Sequence, residues 1–147
     1  MSFDGGTTEE TPKPTRFEPP TSPAARPFWE ATREQRLVLQ WCRSCDEPIH
    51  YPRDACPQCL GDDLEFRRSA GTGEVYAAST MPKPGNPLMA GREPYVVALV
   101  ALDDGVRLMT NLVDVDPDDL RIGQRVEVTW ELLSDGRHLP QFRPSGA

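Results

Sequence analysis

The sequence predicts a mainly β protein in which a short N-terminal helical segment and a small cysteine-pinned ribbon lead into a closed barrel of the OB-fold type. Three observations predict it. Four cysteines stand as two C-x-x-C pairs ten residues apart, Cys42-Arg-Ser-Cys45 and Cys56-Pro-Gln-Cys59. Beyond them, short apolar and alternating segments are divided by Asp-Gly turns at Asp104-Gly105 and Asp135-Gly136. Ahead of them, the chain is rich in Pro, Gly, Thr and Glu and poor in large apolar side chains.

Residues 1–26 are read as a disordered tail, since such a composition cannot offset its ordering entropy. Removal of residues 1–24 is expected to leave stability almost unchanged. Order begins in a helical segment over 27–36. Pro27 suits a first helical position and Glu30 a first turn. Phe28 and Trp29 are adjacent and point about 100° apart on a helix, so one is free to face the body of the protein and the other a partner. The ribbon spans 37–66. Leu37, Leu39 and Trp41 alternate with Val38 and Gln40 as a strand running into the first cysteine pair.

Two tandem C-x-x-C pairs make the spacing of a tetrahedral zinc site, with Cys42, Cys45, Cys56 and Cys59 as its ligands. Two disulfides, a redox pair and an iron–sulfur cluster are the competing readings. The N-terminus MSFDGGTTEE shows neither the basic nor the apolar stretch of a secretory signal, so a cytoplasmic, reducing location is expected. A redox pair would stand once, not twice in tandem. Four thiolates leave no open coordination position, which makes the zinc structural, one per chain. His50 lies between the pairs, but four sulfurs suffice without it. Arg43 and Arg53 are candidate counter-charges for the cluster.

The barrel is expected over 67–147. Glu74–Met81 reads as a strand. Tyr95–Leu102 is continuously apolar and is expected to be buried on both faces. Asp103-Asp104-Gly105 turns it back into 106–113. Asp116-Pro117-Asp118-Asp119 starts a short helical turn. Val126, Val128, Trp130 and Leu132 alternate with polar residues, so they should share one buried face. The connection from Met81 to Pro94 is long, and it carries Lys83, Leu88, Met89 and Arg92.

The 147 residues carry a formal net charge of −7, which weighs against nucleic acid and anionic membranes as partners. No apolar run approaches the roughly 20 residues of a membrane span.

Taken in order, Pro27-Phe-Trp-Glu30, the two cysteine pairs, Gly71-x-Gly-x-Val75-Tyr76, Pro94-Tyr-Val-Val-Ala-Leu-Val100, Asp118-Asp-Leu-Arg-Ile-Gly123 before Val126-x-Val128, and Leu139-Pro-Gln-Phe-Arg-Pro144 resemble the acyl-CoA-associated zinc-ribbon plus OB-fold family. The resemblance covers nearly all of 27–144. It implies a helical segment, a rubredoxin-like ribbon and an OB-fold. It also implies a non-catalytic accessory subunit that docks on a thiolase-like or lipid-transfer-type acyl-CoA enzyme, in some members beside a hydratase, with lipid or steroid side-chain metabolism as the setting. On this reading Phe28 and Trp29 are candidate partner-binding residues, and Lys83 and Arg92 are candidate acyl-CoA-facing residues. One departure stands out. Similar ribbons place Gly directly after each C-x-x-C, where Asp46 and Leu60 stand here, so the second knuckle is expected to turn one residue later, at Gly61.

No catalytic constellation emerges. Ser134, Asp135 and His138 lie close in sequence, but Ser and Asp are common turn residues for backbone reasons. The acidic pairs at 62–63, 103–104 and 118–119 sit at expected turns. The competing function is a single-stranded nucleic-acid-binding module, since ribbons and OB-folds both serve that role. Against it, Arg33, Arg36, Arg43, Arg53, Arg67 and Arg68 are interleaved with acids.

Overall fold

The computed structural model describes residues 16–83 and 87–145. One α-helix, α1 (Arg26–Thr32), carries a proline in its first turn and buries Phe28, Trp29, Ala31 and Thr32. A three-stranded antiparallel sheet follows: β1 (Val38–Cys42) lies between β2 (Glu47–Ile49) and β3 (Leu64–Arg68). The remaining strands are β4 (Thr72–Met81), β5 (Tyr95–Leu102), β6 (Arg107–Leu112), β7 (Arg125–Leu132) and β8 (His138–Pro144). They close a five-stranded barrel in the order β4-β5-β6-β8-β7, with β7 returning to β4. The architecture is the mainly β, ribbon-plus-barrel fold that the sequence predicts.

The barrel core forms where alternation points inward. Val96, Ala98, Val100 and Leu102 of β5 are buried, while the intervening residues are half-buried. The apolar run therefore serves one core face and a partly covered outer face, not two buried ones. Gly73 is required where β4 crosses β5, because a Cβ there would collide with the backbone carbonyl of Ala101. Asp116 caps the short 3-10 turn Pro117–Asp119 by accepting the Asp118 N–H at 2.9 Å. In β7 the expected buried face holds only in part: Val126 is buried and Val128 and Trp130 half-buried, but Leu132 is 65% exposed. Leu132 pairs with His138 at the strand's end, and Leu133 turns into the core in its place.

β1 joins the two parts. Leu37, Leu39 and Trp41 pack with the barrel core and with Phe28 and Trp29. The side chain of Gln40, on the opposite face, holds the ribbon's long connection: its Nε2 donates to the Arg53 carbonyl and its Oε1 accepts the Arg53 N–H, both at 2.8 Å.

The disordered tail expected over 1–26 is corrected in its second half; residues 1–15 lie outside the described residues. Arg16 is buried and donates to Glu131 at 2.8 Å and to Asn111 at 3.1 Å. Glu18 accepts from both the N–H and the hydroxyl of Ser134 at 2.7 Å. Two charged contacts thus tie down a segment that its proline-rich composition would leave loose.

Candidate functional site

The ribbon brings the four cysteine sulfurs within 4.8 Å of one another. Cys42 ends β1 and Cys45 follows in the turn to β2, while Cys56 and Cys59 come from the loop ahead of β3. The Sγ atoms of Cys42 and Cys59 are 3.7 Å apart, and those of Cys45 and Cys56 are 4.0 Å apart. A zinc ion with four sulfurs at about 2.3 Å sets tetrahedral edges of about 3.8 Å, so the donor set fits the ion. The cysteines are free thiols and not disulfides. Backbone amides turn toward the sulfurs as well: Cys45 N–H lies 3.4 Å from Cys42 Sγ and Gln58 N–H 3.3 Å from Cys56 Sγ.

The electrostatics agree. Amides of Cys59 and Gln58 bring the Cys56 thiol down to about 7. Cys45, hydrogen-bonded to Cys59 and desolvated, is pushed up to about 12. Four crowded sulfurs do not all ionise alone, and a divalent cation at their centre is what lets them carry charge together. The four-sulfur set is closed and its zinc is structural.

The second knuckle does not wait for Gly61. Leu60 itself takes φ +61°, and Asp46 takes φ +52° at the matching point of the first. Leu60 N–H bonds Cys56 O, and Cys56 N–H bonds Gly61 O, each at 2.8 Å. The Leu60 side chain is 80% exposed, so its left-handed backbone carries no packing clash in addition. Arg43 does not neutralise the thiolates; it binds Asp63 at 2.8 Å and Glu65 at 3.0 Å. His50 stays outside the sulfur cluster, with its ring 4.0 Å from that of Tyr51 and 6.1 Å from that of Phe28. Burial lowers its pKa to about 4.

The other expected site residues fare differently. Phe28 and Trp29 both pack inside, at 5% and 9% exposure, with rings edge to face at 5.1 Å. Neither ring stands free on the surface of this chain, against the expectation that one of them would: α1 turns Phe28 and Trp29 inward and leaves Arg26, Pro27 and Glu30 exposed. Lys83 is exposed. Arg92 is drawn onto Glu131 at 2.6 Å, so Glu131 is shared with Arg16. Burial raises the Glu131 pKa, but these two guanidinium groups outweigh it and lower the value. Met89 is buried under the same connection. Ser134 is taken by Glu18, and His138 Nδ1 sits 2.8 Å from the Thr32 carbonyl, so the two do not form a nucleophile–base pair. Arg67, like Arg43, is tied to carboxylates, at Glu65 and Asp46.

Sequence reasoning missed Arg16, Tyr51 and Met109. Tyr51 and Met109 are large and more than half exposed, and they flank a cleft between ribbon and barrel. Nothing in the local sequence around either residue marks that placement.

Residues 29–65 match the ChsH2 rubredoxin-like zinc ribbon domain, and residues 66–131 match the ChsH2 C-terminal OB-fold domain. A DUF35 domain-containing scaffold protein of Methanothermobacter thermautotrophicus is 33% identical over 95 residues, covering 64% of this chain and 71% of the relative. A probable enoyl-CoA hydratase alpha subunit of Thermomonospora curvata is 40% identical over 138 residues; the match takes in 94% of this chain but 43% of that longer protein. A solved structure described as the Ltp2-ChsH2(DUF35) aldolase superposes with a TM-score of 0.78 at 39% identity, over 86% of this chain and 98% of that one.

Proposed function

The chain belongs to the ChsH2 zinc-ribbon and OB-fold family, and from that premise we propose that it is a non-catalytic accessory subunit docking on a thiolase-like or lipid-transfer-type acyl-CoA enzyme. It supports that enzyme's assembly, substrate handling or activity, in lipid or steroid side-chain metabolism. The observation that carries the reading is the likeness to the ChsH2(DUF35) chain of an aldolase assembly along almost that chain's whole length. The scaffold names of archaeal relatives support a role without chemistry of its own. A hydratase is a further candidate partner, since two relatives are named as hydratase alpha subunits.

The geometry supplies a physical route. Cys42, Cys45, Cys56 and Cys59 would hold the zinc, which supplies cross-linking charge and no reactive position. The sulfurs fix both ends of the 46–55 connection, and Gln40 clamps its middle. One face of β1 transmits that order to the barrel through Leu39 and Trp41. A rigid two-part body suited to bridging results. No described helix is long and apolar enough to cross a membrane. A cytoplasmic location, where thiols stay reduced, is part of the proposal.

The test is to express the thiolase-like protein encoded in the same genome with and without this chain and to assay acyl-CoA turnover. The expected result is at least a tenfold loss of activity or of soluble enzyme without the chain. Full activity of the partner alone contradicts the proposal.

A further inference from the structure

A groove follows the seam between the ribbon connection and β6. One end, about 420 Å³, is lined by Pro48, Arg53, Pro57, Val106 and Arg107 among others. The other, about 500 Å³, has Phe28 and Trp29 in its wall and Phe17, Tyr51 and Met109 at its edge. His50 lines both ends, and consecutive residues of β6 run from one to the other.

Two features mark this groove. Its edge exposes large apolar side chains: Phe17 is 49% exposed, and Tyr51 and Met109 are each 59% exposed. Its charge is also one-sided. The chain has 23 acidic residues, yet no Asp or Glu lines either end. The Arg53 guanidinium has no carboxylate among the described residues, and Arg107 lies 3.7 Å over the Tyr76 ring without one. Elsewhere most arginines of the described residues, Arg16, Arg43, Arg67, Arg92 and Arg125 among them, hold a carboxylate, while Arg26, Arg68 and Arg121 do not. Aromatic residues, Met and Arg are the types enriched in interface cores, and Asp and Glu are depleted there.

We propose that this groove is the face that receives the thiolase-like subunit. Its occupant is a surface segment of that subunit with a large apolar side chain for the aromatic end and a carboxylate for Arg53 and Arg107. The inference rests on the accessory-subunit reading and locates its contact. Phe28 and Trp29 then act from beneath, as the floor on which exposed Tyr51 and Met109 stand.

The test is calorimetric titration of the purified thiolase-like subunit with wild-type chain and with Tyr51→Glu, Met109→Glu, Met109→Ala, Arg107→Glu and Ile122→Glu. Ile122 is exposed and lies outside the groove, so it is the control. The expected result is at least about a tenfold weakening for the groove variants, with a smaller salt dependence for Arg107→Glu. Zinc content and melting temperature should stay at the wild-type values, as should the affinity of Ile122→Glu. Wild-type affinity in Tyr51→Glu and both Met109 variants overturns the docking face but leaves the accessory reading intact. If the wild-type chain itself does not bind, both fall. If the variants change only self-association or binding of dodecanoate, the groove belongs to a second copy or to a small amphiphile, and the proposal is wrong.

Discussion

The ribbon's own buried cluster consists of Cys42, Ile49 and Cys56, with Cys45 and Leu64 beside it. The barrel shares a core that includes Val75, Val96, Val100, Leu108, Val126 and Phe142, and it borrows Leu39, Phe28 and Trp29 from the elements before it. Both regions are small β structures, antiparallel except where β6 meets β8 in the barrel, yet three of the five residues in or against the ribbon cluster are metal ligands. A sheet that small cannot bury enough surface to hold itself. The barrel closes its edges by strand pairing and is held by burial. One chain thus uses two kinds of stability side by side, and β1 is their junction.

Metal removal should unfold the ribbon and spare the barrel. Chelation of the zinc removes on the order of 10 kcal/mol from such a fold. Unfolding followed by calorimetry and circular dichroism should then split, with the ribbon lost first and the barrel melting separately. Cys42→Ser and Cys59→Ser should lower zinc from one per chain toward zero by elemental analysis.

A core truncation in the barrel should do the reverse. Phe142 is fully buried, so Phe142→Ala should cost about 3–5 kcal/mol in denaturant melts while zinc content stays at one. Removing residues 1–25 comes third. It takes Arg16 from Glu131 and Glu18 from Ser134, and about 1–3 kcal/mol should be lost. An unchanged melting temperature would show that these contacts do not stabilise the fold.

The smallest effect is a pH dependence centred on the junction. His50 is held near 4 in the folded chain by burial, against about 6.5 when unfolded. The unfolded state therefore binds the extra proton first. Its contribution is fully present above about pH 6.5 and is lost as pH falls toward 4. His50→Phe should flatten the stability slope between pH 6.5 and 5, by on the order of 1 kcal/mol after solvent screening.

How legible each part was follows from how it is held. The cysteine spacing shows in sequence because metal geometry imposes it, and β5 and β6 show because a continuous apolar run and an Asp-Gly turn mark them, although the run alone misjudged how far the outer face of β5 is covered. Leu132 and Leu133 were not separable, since a one-residue shift at a strand end reverses which side chain faces in. The Arg16–Glu131 and Glu18–Ser134 contacts span over a hundred residues and leave no local pattern. Leu60 takes a backbone conformation that its side chain disfavours because the sulfur cage requires the turn there. The exposed edge of Tyr51 and Met109 became visible only when ribbon and barrel were set side by side.

A metal-held ribbon and a burial-held barrel together would form the docking body for an acyl-CoA enzyme. The decisive experiment is light scattering on the size-exclusion peak of this chain co-expressed with its thiolase-like neighbour, with zinc measured on the same fractions. The expected result is a stable complex carrying one zinc per copy of this chain, which falls apart on chelation. Two separate peaks, or a complex that persists unchanged after complete zinc removal, would contradict it.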